Sequence, residues 1–218
     1  MALSVISFAT YLTRSDSPWG DKDFHALAFV KAIKGKSFNG WADVPVLGRS
    51  ERLNAKNAAD AAGWFAELAA AEIAKMGLPG PLILIPIPNS SSTVKNGKKP
   101  RTAALAEAIA AKLKNAKVWD GLRWAKEMTP THQEGTRDPQ ILYDNLVVTS
   151  DPPKGPYIIV DDVYTKGGHV QAVVARLGEK KAQCKHAVCA GRTVLEPQAQ
   201  PFSIHRQVVE PFFPKRKK

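Results

Sequence analysis

Apolar and polar residues alternate along the chain in blocks that predict strands and helices in turn. Short runs rich in apolar residues predict strands at residues 4–12, 82–87, 117–124, 157–163 and 186–190. Apolar residues at helical spacing predict helices at residues 23–34, 50–76, 100–115 and 168–178. Ser50 is the expected N-cap of the second helix, and Gly77 follows its last turn.

The order of these elements predicts an α/β fold. Because strands and helices alternate through the centre of the chain, we expect a three-layer sandwich, with a mainly parallel twisted sheet covered by helices on both faces. The 218 residues and 44% hydrophobic content suit one domain, residues 1–218, with its core at about 50–195. We expect the segments 1–49 and 196–218 to form a small hood or appendage.

The net charge of +11 favours polyanionic partners such as nucleotides, pyrophosphate or nucleic acid. Part of this excess lies in the tail, where residues 215–218 read Lys-Arg-Lys-Lys. The tail is either a solvated, frayed chain end or a contact to a nucleic-acid backbone.

Neither the cysteines nor the apolar runs indicate an exported or membrane-bound protein. Cys184 and Cys189 fit neither a zinc site nor a disulfide framework, and we expect both to be buried in a late strand. No apolar run approaches the length of a membrane span, and residues 3–12 lack the basic start of a signal peptide. We therefore expect a cytoplasmic protein with no membrane partner.

Three polar loops follow predicted strands. They are residues 88–99, with the run Asn89-Ser90-Ser91-Ser92-Thr93, residues 125–140, and residues 161–169. Ligands of parallel sheets bind at the carboxyl ends of the strands, where all three loops fall. The sequence therefore predicts a binding site at this edge of the sheet.

The segment 157–170 carries the strongest chemical signal. An apolar run ends in Asp161 and Asp162, and a hydroxyl, a cation and two glycines follow before a helical pattern starts. The strand end fixes the carboxylates, the glycine turn lets N–H groups close on a phosphate, and the helix N-terminus adds positive potential. This order is typical of a sugar-phosphate site. The alternative is an ordinary buried strand with a glycine turn, but adjacent aspartates there are costly unless something pairs with them.

The segment resembles the phosphoribosyl diphosphate (PRPP) motif of type I phosphoribosyltransferases. The residues that fit are Ile158 to Val163, Thr165, Gly167 and Gly168, while Lys166 and His169 stand where that family usually has Thr or Ser. The chain is also similar to the ComF-type branch, through the strand end Ile85-Pro86-Ile87-Pro88, Thr129 and Gln133 of the middle loop, and Arg137 and Asn145 beyond it. It lacks the four cysteines of the zinc ribbon that this branch often carries.

The resemblance implies transfer of a phosphoribosyl group from PRPP to a nucleobase or similar nitrogen acceptor, with Mg²⁺ and release of pyrophosphate. Asp161 and Asp162 would face the ribose hydroxyls and the hydrated metal. The 5-phosphate would lie on Thr165, Lys166, Gly167, Gly168 and His169, and the pyrophosphate on Asn89, Ser90, Ser91, Ser92 and Thr93. Lys126 and Arg137, with His132, would stabilise the leaving group.

Three classes of function fit these observations. The first is a PRPP-dependent transferase. The second is a regulatory protein that keeps the sugar-phosphate site without turnover. This class is suggested by Lys166 and His169, which depart from the motif. The third is an accessory protein that binds single-stranded nucleic acid through its basic surface and tail. A homodimer fits each of them, and the sequence decides neither the oligomeric state nor the acceptor.

Overall fold

The computed structural model describes residues 2–13, 16–128 and 138–215. Helices and strands follow one another in these ranges with few long connections. In chain order they are β1 (Leu3–Leu12), α1 (Asp21–Ile33), β2 (Trp41–Val46), β3 (Arg49–Asn54), α2 (Asp60–Lys75), β4 (Leu82–Pro86), α3 (Arg101–Ala111), β5 (Ala116–Val118), β6 (Leu122–Trp124), α4 (Pro139–Asn145), β7 (Leu146–Val148), β8 (Tyr157–Tyr164), α5 (Gly168–Glu179), β9 (Cys184–Val194) and β10 (His205–Val209).

The main sheet has the strand order β10-β1-β9-β8-β4-β5. Of these described strands, β10 pairs antiparallel with β1, and all other neighbours pair parallel. Two small antiparallel sheets, β2–β3 and β6–β7, lie outside it. The predicted α/β fold with a large, mostly parallel central sheet is confirmed.

Apolar side chains cover both faces of the main sheet and so produce three layers. On one face, Ile158 and Val160 pack with α1, α2, α3 and the β2–β3 sheet. On the other face, Ile159 packs with α4, α5 and the β6–β7 sheet. Successive side chains of a strand point to opposite faces, so the apolar run at residues 157–160 of β8 is the pattern of a strand buried on both sides.

Both terminal segments contribute strands to the main sheet, and the hood expected from these segments stays a prediction. β1 lies between β9 and β10, with Ser4 paired to His186 and Leu12 paired to Val194. Residues 5–10 of β1 are all buried, because an apolar run of this length needs cover on both faces. β10 then shields the other side of β1 and forms the edge of the sheet.

The helix predicted from Ser50 begins ten residues too early. Residues Arg49–Asn54 are β3, which pairs in register with β2, and α2 begins at Asp60. Leu47 and Gly48 both have positive φ, as a two-residue hairpin turn requires. The Asn57 side chain then accepts the N–H of Asn54 at 2.7 Å and turns the chain toward the helix.

The single strand predicted at residues 117–124 is two strands in different sheets. Ala116–Val118 pairs with β4 in the main sheet, whereas Leu122–Trp124 pairs with β7. Asp120 lies between the two strands, and Arg123 of β6 donates to its carboxylate at 2.7 and 2.9 Å. This ion pair stabilises the bend. Gly121 is required there, since a Cβ would lie 2.3 Å from the Trp119 ring.

Candidate functional site

A cavity of about 660 Å³ opens at the carboxyl edge of the main sheet. Residues at the ends of β1, β4, β8 and β9, the residues after α1 and the first residues of α3 line it. The sequence-predicted site residues on its wall are Asn89, Ser90, Ser91, Asp161, Asp162, Thr165 and His169. The structure therefore brings the motif after β8 and the loop after β4 to one place.

Asp162 is held between two cations from different helices. The Lys34 Nζ, just after α1, lies 3.3 Å from its Oδ1, and the guanidinium of Arg101, the first residue of α3, donates to its Oδ2. Burial alone would raise the pKa of this carboxyl, but the charges of Lys34 and Arg101 outweigh burial and hold the pKa below its ordinary value. Asp162 is therefore ionised at neutral pH.

Asp161 has the opposite electrostatic environment, although it is the next residue along the strand. It lies on the face of β8 that carries Ile159, beside Cys189 of β9. Burial, followed by the negative charge of Asp162, raises its pKa to about 8. Its Oδ1 accepts the backbone N–H of Asp162 at 2.8 Å, which only partly offsets these effects. A cation bound here would favour the ionised form.

The turn after β8 has the backbone of a phosphate-binding turn. Gly167 has φ of +82° and is the N-cap of α5. A Cβ at Gly167 would also lie 2.9 Å from the hydroxyl oxygen of Tyr164, so conformation and packing both select glycine. Thr165 and His169 line the cavity beside the N-terminus of α5, where N–H groups and the helix dipole attract anions. Lys166 is exposed and is not part of the cavity wall.

Asn89 organises the loop after β4. Its Oδ1 accepts hydrogen bonds from the Ser92 hydroxyl at 3.1 Å and the Arg101 backbone N–H at 3.0 Å. Its amide donates to the Ser91 hydroxyl at 2.9 Å. Ser92 and Thr93 are buried and lie outside the cavity lining, so the structure gives them a role in shaping the loop.

Trp124 connects this loop to the turn after β8. Its buried indole N–H donates to the Pro88 carbonyl at 3.0 Å. The His169 ring packs against its edge, with ring centroids 5.9 Å apart. The two loops that line this side of the cavity are thus fixed relative to each other by one aromatic side chain.

The structure describes the middle loop as far as Met128 and again from Asp138. Met128 lines the cavity, and its N–H donates to the Ser90 carbonyl at 3.0 Å. Lys126 is exposed and does not line the cavity. The other predicted residues of this loop, Thr129, His132, Gln133 and Arg137, lie outside the described residues.

Sequence reasoning missed one complete side of the cavity. We call this side the lysine wall; it consists of Tyr11, Thr13, Lys34, Lys36 and Thr193. The opposite side, the loop wall, consists of Asn89, Ser90, Ser91, Arg101, Thr165 and His169. Arg101 was missed as well, and its one sequence signal is its position directly after a polar loop, at the start of a helix.

The acid pair has the oxygen atoms that would coordinate a divalent cation if a bound ligand supplied the remaining oxygens. No group of three His, Cys, Asp or Glu side chains comes together among the described residues, so protein atoms alone do not form a complete metal site there. Mg²⁺ typically keeps several waters and uses one or two carboxylates together with phosphate oxygens. Asp161 fits this role, because no cation among the described residues forms an ion pair with its carboxyl, whereas both oxygens of Asp162 are engaged.

Two other predictions concern the cysteines and the membrane. Cys184 and Cys189 are both buried in β9, as predicted, and burial raises the pKa of each thiol. Among the helices of the described ranges, none has the length and apolar character that a membrane span needs.

No protein-family model and no curated protein sequence matches the chain. Among solved structures, a hypoxanthine phosphoribosyltransferase from Staphylococcus aureus matches in a tetragonal crystal form with a TM-score of 0.39 and 11% identity, over 62% of this chain and 73% of that chain. Its orthorhombic form gives a TM-score of 0.38 and 9% identity, over 64% and 69%. APRTase from Giardia lamblia, in complex with 9-deazaadenine, gives 0.38 and 14%, over 80% and 98%. Structural similarity this low supports no conclusion about activity, so the functional proposal is based on the residues of the cavity.

Proposed function

We propose that the cavity binds PRPP with Mg²⁺ and that the protein is a phosphoribosyltransferase of the ComF type, acting on a nitrogen acceptor. The observation that carries this proposal is the Asp161–Asp162 pair, which lies near the carboxyl end of the interior parallel strand β8, on the wall of a cavity of about 660 Å³. A left-handed glycine and the N-terminus of α5 follow directly. A pentose with a phosphate at one end and a diphosphate at the other requires this combination of carboxylates and anion-binding turns.

The 5-phosphate would lie at the N-terminus of α5, bound by the Thr165 hydroxyl and the backbone N–H groups of the turn. The ribose hydroxyls would then face the acid pair. Mg²⁺, when bound, would neutralise diphosphate charge, and Asp161 would hold its hydrated shell in the ionised form. As the acceptor nitrogen bonds to the ribose carbon, the bond to the diphosphate oxygen breaks and pyrophosphate leaves with the electron pair. Positive charge that develops on the ribose is stabilised by the nearby carboxylates.

Arg101 is the side chain best placed to receive the diphosphate. Its backbone is bonded to Asn89 in the loop after β4, and its side chain is 41% exposed despite the ion pair with Asp162. Lys34 still neutralises Asp162 when the guanidinium turns to a phosphate. Leaving-group stabilisation by Lys126 and Arg137 stays a prediction from the sequence.

Thermal unfolding with and without PRPP and Mg²⁺ tests the proposal. Ligand at about 100 times its Kd stabilises by about 2.7 kcal/mol, which for a chain of this size raises Tm by about 5–10 °C. Asp161→Asn should remove most of this shift, and Asp151→Asn, which removes a carboxylate that is 88% exposed in its side chain, should leave it intact. No shift at millimolar PRPP contradicts the proposal. Pyrophosphate release across a panel of bases then separates an enzyme from a binding protein.

A further inference from the structure

The lysine wall offers charge that PRPP, bound as proposed, does not use. Lys34 and Arg101 approach different oxygens of Asp162, so the carboxylate separates the lysine wall from the loop wall. The anion-binding turn after β8 and Arg101 both belong to the loop wall. The lysine wall is therefore left for the second substrate, and this step rests on the proposed function.

Lys36 is the cation of this wall that is available to a ligand. It is exposed at the cavity mouth, and no described carboxylate lies within ion-pair distance of it. Among the described residues, the cavity lining contains the cations Lys34, Lys36 and Arg101 and, as carboxylates, Asp161 and Asp162 alone. Because Asp162 is already shared by two cations, Lys36 is a surplus positive charge.

Hydroxyl groups accompany this charge. Thr13 follows β1, and Thr193 lies on the neighbouring strand β9, where Leu12 pairs with Val194 and Tyr11 pairs with Thr193. Both threonines line the cavity, so their hydroxyls can donate to an oxygen anion near Lys36. The Tyr11 ring supports Lys34, whose Nζ lies 5.6 Å from the ring centroid.

The backbone at the C-terminal end of α1 favours binding of a singly charged group over binding of a phosphate. The N–H groups of Lys34, Gly35 and Lys36 donate to carbonyls of the last helical turn at 3.0, 2.9 and 2.8 Å. They are therefore not available to cradle a ligand, unlike the N–H groups at the start of α5. The C-terminal end of a helix is also its negative end, which disfavours a dianion more than a monoanion.

We infer that the lysine wall binds the acceptor, and that the acceptor is a nitrogen heterocycle carrying a carboxylate, which Lys36, Thr13 and Thr193 bind. Lys36 acts as a specificity determinant, since a carboxylate gains a charge-assisted contact with it that a neutral base does not form. Charge-assisted hydrogen bonds of this kind contribute about 1.5–3 kcal/mol, so the carboxylate should improve affinity by at least about tenfold.

Matched pairs of rings test this inference by isothermal titration calorimetry on the full chain with Mg²⁺ and pyrophosphate. Orotate is compared with uracil, and nicotinate with nicotinamide, because each pair shares a ring and differs in the carboxylate. At least one carboxylated ring should bind about tenfold more tightly than its neutral partner. Lys36→Gln should abolish the preference. Lys36→Arg should keep it, and so should Lys31→Gln, which removes a charge from the last turn of α1, outside the cavity.

Equal affinity within both pairs overturns the inference, and so does a preference that survives Lys36→Gln. The thermal shift by PRPP and Mg²⁺ is measured on the same variants. A shift lost in Lys36→Gln assigns the wall to PRPP and also overturns the inference. A wild-type chain with no PRPP shift but a Lys36-dependent carboxylate preference refutes the proposed function and leaves the anion site standing.

Discussion

The two walls of the cavity are built in different ways. The loop wall comes from two short segments, the loop after β4 and the turn after β8. Hydrogen bonds of the Asn89 side chain organise the first, and the left-handed conformation of Gly167 shapes the second. The lysine wall is assembled from β1, the residues after α1 and the end of β9, which are far apart in the chain. Local segments of this kind leave a sequence signature, whereas a wall built by tertiary packing leaves almost none.

The largest effect that distinguishes the walls should come from Arg101→Gln. It removes a guanidinium from the diphosphate side, and the lost charged hydrogen bonds should weaken PRPP binding with Mg²⁺ by about 10–100-fold. Lys36→Gln should change PRPP affinity by less than about twofold. Calorimetric titration with PRPP measures both.

Arg123→Gln is the matched control for Arg101→Gln, because Arg123 binds Asp120 away from the cavity. Similar losses of PRPP affinity in Arg101→Gln and Lys36→Gln would show that the two walls act as one phosphate site. The assignment of the two walls to different ligands would then be wrong.

A smaller effect is expected from the backbone of the loop wall. Gly167→Ala places a Cβ at φ of +82° and against Tyr164, which should cost about 1–2 kcal/mol and lower Tm by several degrees. Gly178→Ala, in α5 with open space around it, should raise stability by about 0.5–1 kcal/mol. Thermal unfolding of both variants measures whether each change lowers or raises stability. If Gly167→Ala left Tm unchanged, the turn would accommodate a Cβ without strain.

The smallest effect concerns the pH dependence of stability. The folded-state pKa of Asp161 is raised to about 8, so this carboxyl keeps a proton that the unfolded chain has lost. Its contribution to stability is full below the unfolded pKa and is lost as pH rises through about 8. Asp161→Asn cannot titrate, so its Tm advantage over wild type should be larger at pH 8.5 than at pH 5, by about 2 °C or more.

Asp151→Asn is again the control, because its Tm difference from wild type should not change between these two pH values. Asp162 behaves in the opposite way: its lowered pKa adds stability above the unfolded pKa, and that stability is lost in acid. A Tm advantage of Asp161→Asn that is constant with pH would mean that this carboxyl is ionised throughout.

The elements that the sequence predicted well are those whose pattern is local. The apolar runs of β4 and of residues 157–160 in β8 indicated buried strands, and the glycines after β8 marked the start of α5. Short strands were possible around Phe38 to Val46, where β2 lies, but β3 was missed because it is polar and the turn residue before it, Leu47, is not a typical turn former. The ion pairs of Asp162 were out of reach, since Lys34 is 128 residues and Arg101 is 61 residues away along the chain.

The placement of β1 also has a consequence for how the molecule is made. The neighbours of β1 in the sheet, β9 and β10, follow far along the chain, since Ser4 pairs with His186 of β9 and with Val208 of β10. Pairing across such sequence distances is slow, because the long intervening loop must close before any contact stabilises it. The apolar strand β1 therefore stays unpaired until β9 and β10 have been synthesised, which exposes it to aggregation or to capture by chaperones.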